Sequence, residues 1–247
     1  MSRRFSLEGR RALVTGANTG IGQAIALALA EEGAQVTAAG RRSCDETVER
    51  IAAAGGQGDQ IRLDLADPMA ATGLFAGAGY DLLVNNAGII RRADSVDFTE
   101  ADWDDVIDVN LKAVFFTAQA FGRELIARGA SGKVVNVASL LSFQGGIRVP
   151  SYTASKHGVA GLTKVLANEW AGKGITVNAI APGYIATNNT EALRADPERS
   201  KAILERIPAG RWGDPADIAG ATAFLCSPAA DYVTGAVLNV DGGWLAR

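Results

Sequence analysis

Short apolar runs alternate along this chain with longer stretches in which apolar residues recur every three or four positions. Short runs of that kind suit strands buried on both faces, and the longer spacing suits helices that cross back between parallel strands. The pattern predicts strands over Arg11–Thr15, Gln35–Ala39, Gln60–Leu63, Asp81–Asn85, Lys133–Val137, Thr176–Ile180 and Val237–Val240. It predicts a helix over Ile21–Glu32 that stops at Gly33, and another opened by Ser43 with Glu46 completing a capping box. A long helix over Ala101–Ala127 has Thr99 as its cap, and a further helix carries Tyr152 and Lys156. Asp214-Pro215-Ala216-Asp217 supplies a cap, a first-turn proline and an acid at the third position, a strong helix start. Between Tyr184 and Arg211 the chain is polar, includes Pro197 and Pro208, and reads as short helices covering a site. Strand and helix in this alternation mean an α/β fold, a doubly wound parallel sheet with helices on both faces. No linker, repeat or low-complexity tract interrupts residues 1–247, so they read as one domain.

Composition narrows the function more than the fold. A charged share of 21% and a net charge of −3 leave no basic field for nucleic acid. No apolar run is long enough to span a bilayer, and the start, Met1–Glu8, has charges but no apolar stretch of the signal-peptide kind. Cys44 and Cys226 make no disulfide framework and suit small buried apolar positions in a reducing cytoplasm. Nothing in the spacing of potential ligands suggests a metal.

Candidate chemistry lies at strand ends. After the first strand comes Thr15-Gly16-Ala17-Asn18-Thr19-Gly20-Ile21-Gly22. Glycines between a strand and a helix let backbone approach a pyrophosphate at the helix N-terminus. The fourth strand ends in Asn85-Asn86-Ala87-Gly88, on the same edge, where open α/β sheets bind ligands. The second strand ends in Ala39-Gly40-Arg41-Arg42, with no acid before Asp45. An acid there would take the 2′-hydroxyl of NAD, whereas an arginine accommodates the 2′-phosphate of NADP, so Arg41 and Arg42 favour NADP, with NAD the alternative. Tyr152 and Lys156 stand four apart on a helix and so share a face. A cation beside a phenol favours the phenolate, which turns tyrosine into a usable general acid or base. Ser139, just past the fifth strand, can hydrogen-bond a substrate oxygen where charge develops. His157, the only histidine, is not needed for this chemistry.

Thr15–Gly22, Asp64-Leu65, Asn85–Gly88, Asn110, Ser139, Tyr152-x-x-x-Lys156 and Pro182-Gly183, in this order over nearly the whole length, resemble the short-chain dehydrogenase/reductase family. The resemblance implies a Rossmann-type sheet of about seven strands and hydride transfer between NAD(P) and a carbinol or ketone. It implies a catalytic tetrad at Asn110, Ser139, Tyr152 and Lys156, with Asn110 positioning a relay water and Lys156 also holding the nicotinamide ribose. For the coenzyme it implies Gly16, Asn18, Thr19, Gly20, Ile21, Gly22, Asp64, Leu65, Asn86, Ala87, Gly88, Pro182, Gly183, Ile185 and Thr187. Asn86 also reads as a tie between strands, and Asn110 as a cap on local backbone. It further implies a homotetramer, and the apolar tail ending in Trp244-Leu245 would be awkward if exposed on a monomer. Further stretches, including Leu141–Tyr152 and Ala181–Thr190, are similar to the sugar-acid branch of that family, the 2-dehydro-3-deoxy-D-gluconate and gluconate type. A sugar acid needs a cation, for which Arg148 is the first expectation and Arg92 its rival, with Gln144 and Asn189 for hydroxyls. Two other readings stay open: a ketoreductase for acyl-carrier thioesters docked on Arg91, Arg92 and Arg194, and a nucleotide-sensing protein without catalysis.

Overall fold

The computed structural model describes residues 4–247, so the reading of the first residues falls partly outside it. Seven strands form one parallel sheet in the order β3-β2-β1-β4-β5-β6-β7. They are β1 (Arg11–Thr15), β2 (Gln35–Gly40), β3 (Gln57–Arg62), β4 (Leu82–Asn85), β5 (Gly132–Val137), β6 (Ile175–Pro182) and β7 (Val237–Val240). The helices are α1 (Gly20–Glu31), α2 (Asp45–Ala53), α3 (Glu100–Ile107), α4 (Ala113–Ala127), α5 (Pro150–Trp170), α6 (Glu191–Ala195), α7 (Pro197–Arg206) and α8 (Pro215–Cys226).

Alternation along the strands divides the core. Ala12, Val14, Val36, Ala38, Leu82, Val84, Val135 and Val137 pack with α1 and α8. Leu13, Leu83, Val134 and Val177, one residue out of phase, pack with Phe75, Phe121 and Leu125 on the other face. Strands covered on both sides have no polar face, which is why their sequence runs read as continuously apolar. Cys44 and Cys226 are both buried in the first of these cores, as small apolar residues.

Three elements depart from the sequence pattern. β3 begins at Gln57, three residues earlier than expected, because an edge strand facing solvent can be written in polar residues such as Gln57-Gly58-Asp59. The long helix over Ala101–Ala127 is interrupted: Asp108–Lys112 widens into a π-turn between α3 and α4. Thr99 does cap its start, its hydroxyl accepting from Asp102 N at 3.1 Å. The Ser43–Glu46 capping box is absent. Cys44 is the N-cap of α2 without a side-chain bond, and Cys44 N instead donates to Gln60 Oε1 on β3 at 2.7 Å.

The tail also departs. Trp244 is 4% exposed, not a protruding end. It packs with Leu140 and Ile207, meets the Tyr184 ring at a tilt with centroids 4.7 Å apart, and lies under the Arg206 guanidinium at 4.0 Å. The short helices expected between Tyr184 and Arg211 are α6, α7 and a 3-10 turn over Asn188–Thr190.

α8 starts as its sequence predicts, with Asp214 and Asp217 forming a capping box. Arg211 grips Asp217 with two bonds, 2.7 and 2.9 Å, and Asp214 N adds a third at 2.8 Å. The Arg211 fork, then the Asp214 amide, hold the Asp217 carboxyl down at about 2, below its ordinary 3.8. A depressed carboxyl stabilises the fold above its unfolded value and loses that contribution as pH falls through the folded one. Asp217→Asn is therefore expected to lower Tm at neutral pH by about 2–4 °C, the scale of about 1 kcal/mol in a chain of this size. The gap between wild type and variant should close as pH falls from about 4 to about 2 in thermal melts.

Candidate active site

All seven strands are parallel, so their carboxyl ends share one edge, and the order reverses between β1 and β4. The turn after β1 and the turn after β4 are locked together there. Asn86 Nδ2 donates to Thr15 O at 2.9 Å and Gly16 O at 3.2 Å. Thr15 Oγ1 accepts from Asn86 N and Ala87 N, each at 3.0 Å. Of the two sequence readings of Asn86, the tie between strands is thus the one its side chain performs.

A coenzyme cradle fits this edge. Gly16 has φ +66, and a Cβ on Gly22 would sit 2.2 Å from Gly16 O and 2.4 Å from Asn86 Nδ2. Only glycine allows that approach. Thr19 caps α1 without a side-chain bond, and no acid occupies the first turn, so the helix N-terminus presents its amides to an anion. Across from it a Cβ on Gly20 would meet only the Thr187 side chain, at 3.5 Å, which places the turn after β6 opposite the glycine loop. Ile185 is buried beside it and bridges to Gly213. Asn18 lies against Gly40 at the end of β2, and Leu63 N bonds Gly40 O at 2.9 Å, so Asp64 and Leu65 flank the same region. Asp64 itself turns its carboxylate to Ala66 N at 3.0 Å. Arg41 and Arg42 are exposed and have no ion-pair partner among the described residues.

The tetrad residues converge next to this cradle. Ser139 caps a 3-10 turn after β5, its Oγ accepting from Leu141 N at 3.2 Å. Its hydroxyl is near enough to the Tyr152 phenol to favour the ionised form. Lys156 is buried one turn along α5, with Nζ donating to Val137 O at 2.6 Å and lying 5.5 Å from the Tyr152 ring. Burial raises the Tyr152 phenol above its ordinary value, outweighing the nearby Ser139 hydroxyl and the charge of Arg92, both of which lower it. The expected depression of the phenol by Lys156 is therefore not what dominates here. A buried phenol stays neutral, which suits proton donation to a carbonyl oxygen. Asn110, in the π-turn, is fully buried and spends its amide on Ile89: Nδ2 to Ile89 O and Ile89 N to Oδ1, both 2.8 Å. That is the backbone-capping alternative, and it fixes the loop after β4.

A polar ladder missed in the sequence sets the position of α5. Asn85 Nδ2 donates to Asn136 Oδ1 at 2.9 Å, and Asn136 Nδ2 to Thr163 Oγ1 at 3.0 Å, all buried. Ser142 Oγ donates to Lys156 O at 2.6 Å. The signal was present: Asn85 and Asn136 stand at inward positions of otherwise apolar strands, where a buried amide must be paired.

On the substrate side the expectations divide. Arg148 pairs through Nε with Asp94 Oδ1 at 3.1 Å, and its carbonyl accepts from Ala93 N at 3.2 Å. It is not a free cation aimed at a ligand; it stitches two loops. Gln144 Oε1 accepts from Trp244 Nε1 at 3.4 Å, a structural role. Asn189 is exposed at the start of the covering segment. Arg91 is tied to Asp102 and Asp105, and Arg194 donates to Thr187 O. Arg92, exposed and near enough to act on Tyr152, has no ion-pair partner among the described residues.

Residues 16–245 match the family model described as enoyl-(acyl carrier protein) reductase. A 2-dehydro-3-deoxy-D-gluconate 5-dehydrogenase of Dickeya dadantii is 53% identical, covering 98% of each chain. The chain belongs to the short-chain dehydrogenase/reductase family. A solved structure of a candidate 2-deoxy-D-gluconate 3-dehydrogenase from Agrobacterium tumefaciens, with bound NADP, matches with a TM-score of 0.99 at 73% identity over all of both chains. A gluconate 5-dehydrogenase from Burkholderia cenocepacia, in complex with NADP and tartrate, has a TM-score of 0.92 at 39% identity, covering 99% of this chain and 98% of that one. This short-chain dehydrogenase/reductase is an oxidoreductase, and the family uses NAD(P).

Burial pulls the Lys156 amine down to about 8. Below that pH it is charged and favours an anionic, hydroxyl-bearing coenzyme; above it the charge is lost. Coenzyme Kd, followed by tryptophan quenching, is expected to rise as pH increases from about 7 to about 9. Lys156→Met should bind more weakly throughout and lose that step.

Proposed function

We propose that this oxidoreductase moves a hydride between NADP and the hydroxyl or keto carbon of a small sugar acid of the 2-dehydro-3-deoxy-D-gluconate or gluconate type. The observation that carries the reading is one uncommitted cation, Arg92, beside an intact Ser139–Tyr152–Lys156 group. The nicotinamide, when bound, supplies or takes the hydride. In reduction Tyr152 gives its proton to the substrate oxygen while Ser139 hydrogen-bonds that oxygen, and in oxidation Tyr152 takes the proton back. Lys156 holds the ribose hydroxyls, and Asn110 fixes the π-turn behind the site. Arg92 takes the substrate carboxylate with a two-point fork. Asn189 remains available for a hydroxyl, whereas Arg148 and Gln144 act as supports.

The cradle holds the coenzyme through Gly16, Asn18, Thr19, Gly20, Ile21 and Gly22 at the pyrophosphate. Asp64 and Leu65 lie toward the adenine, and Ala87, Gly88, Pro182, Gly183, Ile185 and Thr187 toward the nicotinamide. Arg41 and Arg42 receive the 2′-phosphate. Support comes from the absence of an acid before Asp45 and from NADP bound to both solved relatives. The acyl-carrier reading is weakened because Arg91 and Arg194 are already engaged, so they do not form a free basic patch. A homotetramer in the cytoplasm completes the proposal. Exposed Val165 on α5 and Leu238 on edge strand β7 offer apolar contact, and two unpaired cysteines suit a reducing compartment.

Turnover of keto and hydroxy sugar acids against acyl thioesters, with NADP and NAD in parallel, tests the assignment; thioester-only activity overturns it. Tyr152→Phe is expected to lower kcat by about 10²–10⁴-fold with coenzyme binding retained. Arg92→Met should raise KM for a carboxylate substrate and leave a neutral analogue of the same sugar nearly unaffected. If both suffer alike, Arg92 is not the carboxylate receptor. Sedimentation as a monomer at micromolar concentration would overturn the assembly.

A further inference from the structure

The turn that would meet the coenzyme 2′-position lies between β2 and α2, where Gly40 packs against Asn18 of the glycine loop and against Cys44. Arg41, Arg42 and Ser43 form the turn, and Asp45 opens α2 three residues past Arg42. Asp45 is the first acid after β2 and stands exposed. Left free, its carboxylate could neutralise Arg41 or Arg42, repel a phosphate dianion, or accept from a ribose 2′-hydroxyl.

It is not free. Gln60 on β3 donates its amide N–H to Asp45 Oδ1, and the Ser43 hydroxyl donates to Asp45 Oδ2. Gln60 Oε1 meanwhile accepts from Cys44 N at 2.7 Å and lies 3.3 Å from Ser43 Oγ, which accepts from Asp45 N at 3.1 Å. One glutamine therefore closes the turn with its oxygen and holds the acid with its nitrogen. β3 pairs with β2 directly, Gln60 opposite Ala38, so this anchor is part of the sheet.

We propose that Gln60 is a specificity-determining residue: by holding the Asp45 carboxylate against β3 it leaves the Arg41–Arg42–Ser43 turn open to a 2′-phosphate. The inference rests on the NADP reading above and extends it to a residue that touches neither phosphate nor arginine. The Asp45 carboxyl is held below its ordinary range by the Ser43 bond first and the Gln60 bond second, as expected of an acid kept ionised in one place.

Binding of 2′,5′-ADP and 5′-AMP to the full-length protein, measured by calorimetry, isolates the 2′-phosphate without turnover. Wild type should bind 2′,5′-ADP more tightly. Gln60→Ala should reduce that preference by about tenfold, the scale of one charged contact. Gln60→Ala combined with Asp45→Ala should restore it, because the misplaced charge is then gone. Equal wild-type binding of the two ligands would overturn the NADP reading. A wild-type preference that survives Gln60→Ala would overturn the role of Gln60 alone. Loss of preference without restoration in the double variant would also overturn it, showing that Gln60 serves only to close the turn of α2.

Discussion

One contact organises the molecule: the bracket by which Asn86 holds the backbone of Thr15 and Gly16 while Thr15 holds the amides of Asn86 and Ala87. Strands β1 and β4 part company in connectivity at this point, and an open crevice there is unavoidable. The bracket keeps the two lips of that crevice at fixed separation. It also forbids a side chain on Gly22, which brings the first turn of α1 onto the same spot. The anion end of the cradle and the loop leading to Arg92 are thus two sides of one hydrogen-bonded joint.

From that joint α5, with Tyr152 and Lys156, is placed by buried polar contacts, not by apolar packing alone. The Asn85–Asn136–Thr163 ladder runs across two strands into α5, and Lys156 is gripped both at its carbonyl by Ser142 and at its amine by Val137. Buried amides tolerate few arrangements, because each unpaired group costs about 1–3 kcal/mol. A site built this way gains precision at the expense of adaptability.

Much of this was legible in the sequence, for reasons that differ by element. Strands buried on both faces announce themselves, as Ala12-Leu13-Val14 does, and β7 and the start of α8 fall where the residues put them. The Tyr152–Lys156 pair and the glycine loop stood out as candidates because their spacing is rare. What escaped depended on distant partners. Nothing local marks Asn110 as the place where a helix widens, since its partner Ile89 lies on another loop. Gln57-Gly58-Asp59 lacks the apolar signal of a strand because an edge strand faces water. Arg148 was expected ahead of Arg92 as the carboxylate receptor; Asp94 separates them by engaging Arg148 and not Arg92. Ser43 looked like a cap, but Gln60 supplies the acceptor across the sheet.

The seat of Trp244 bears on how the covering segment is held. The residues that pin the end of the covering segment follow β7: Gly242 O accepts from Ala209 N, and Arg247 reaches Glu205 O at 2.7 Å. Trp244 itself wedges between Tyr184, Ile207 and the Arg206 guanidinium. The segment that carries α6 and α7 is therefore fastened by residues beyond β7 rather than by its own neighbours. Loosening Trp244 would therefore unseat Ile207 and Arg206 at the end of the covering segment while leaving the parallel ladder of the sheet intact.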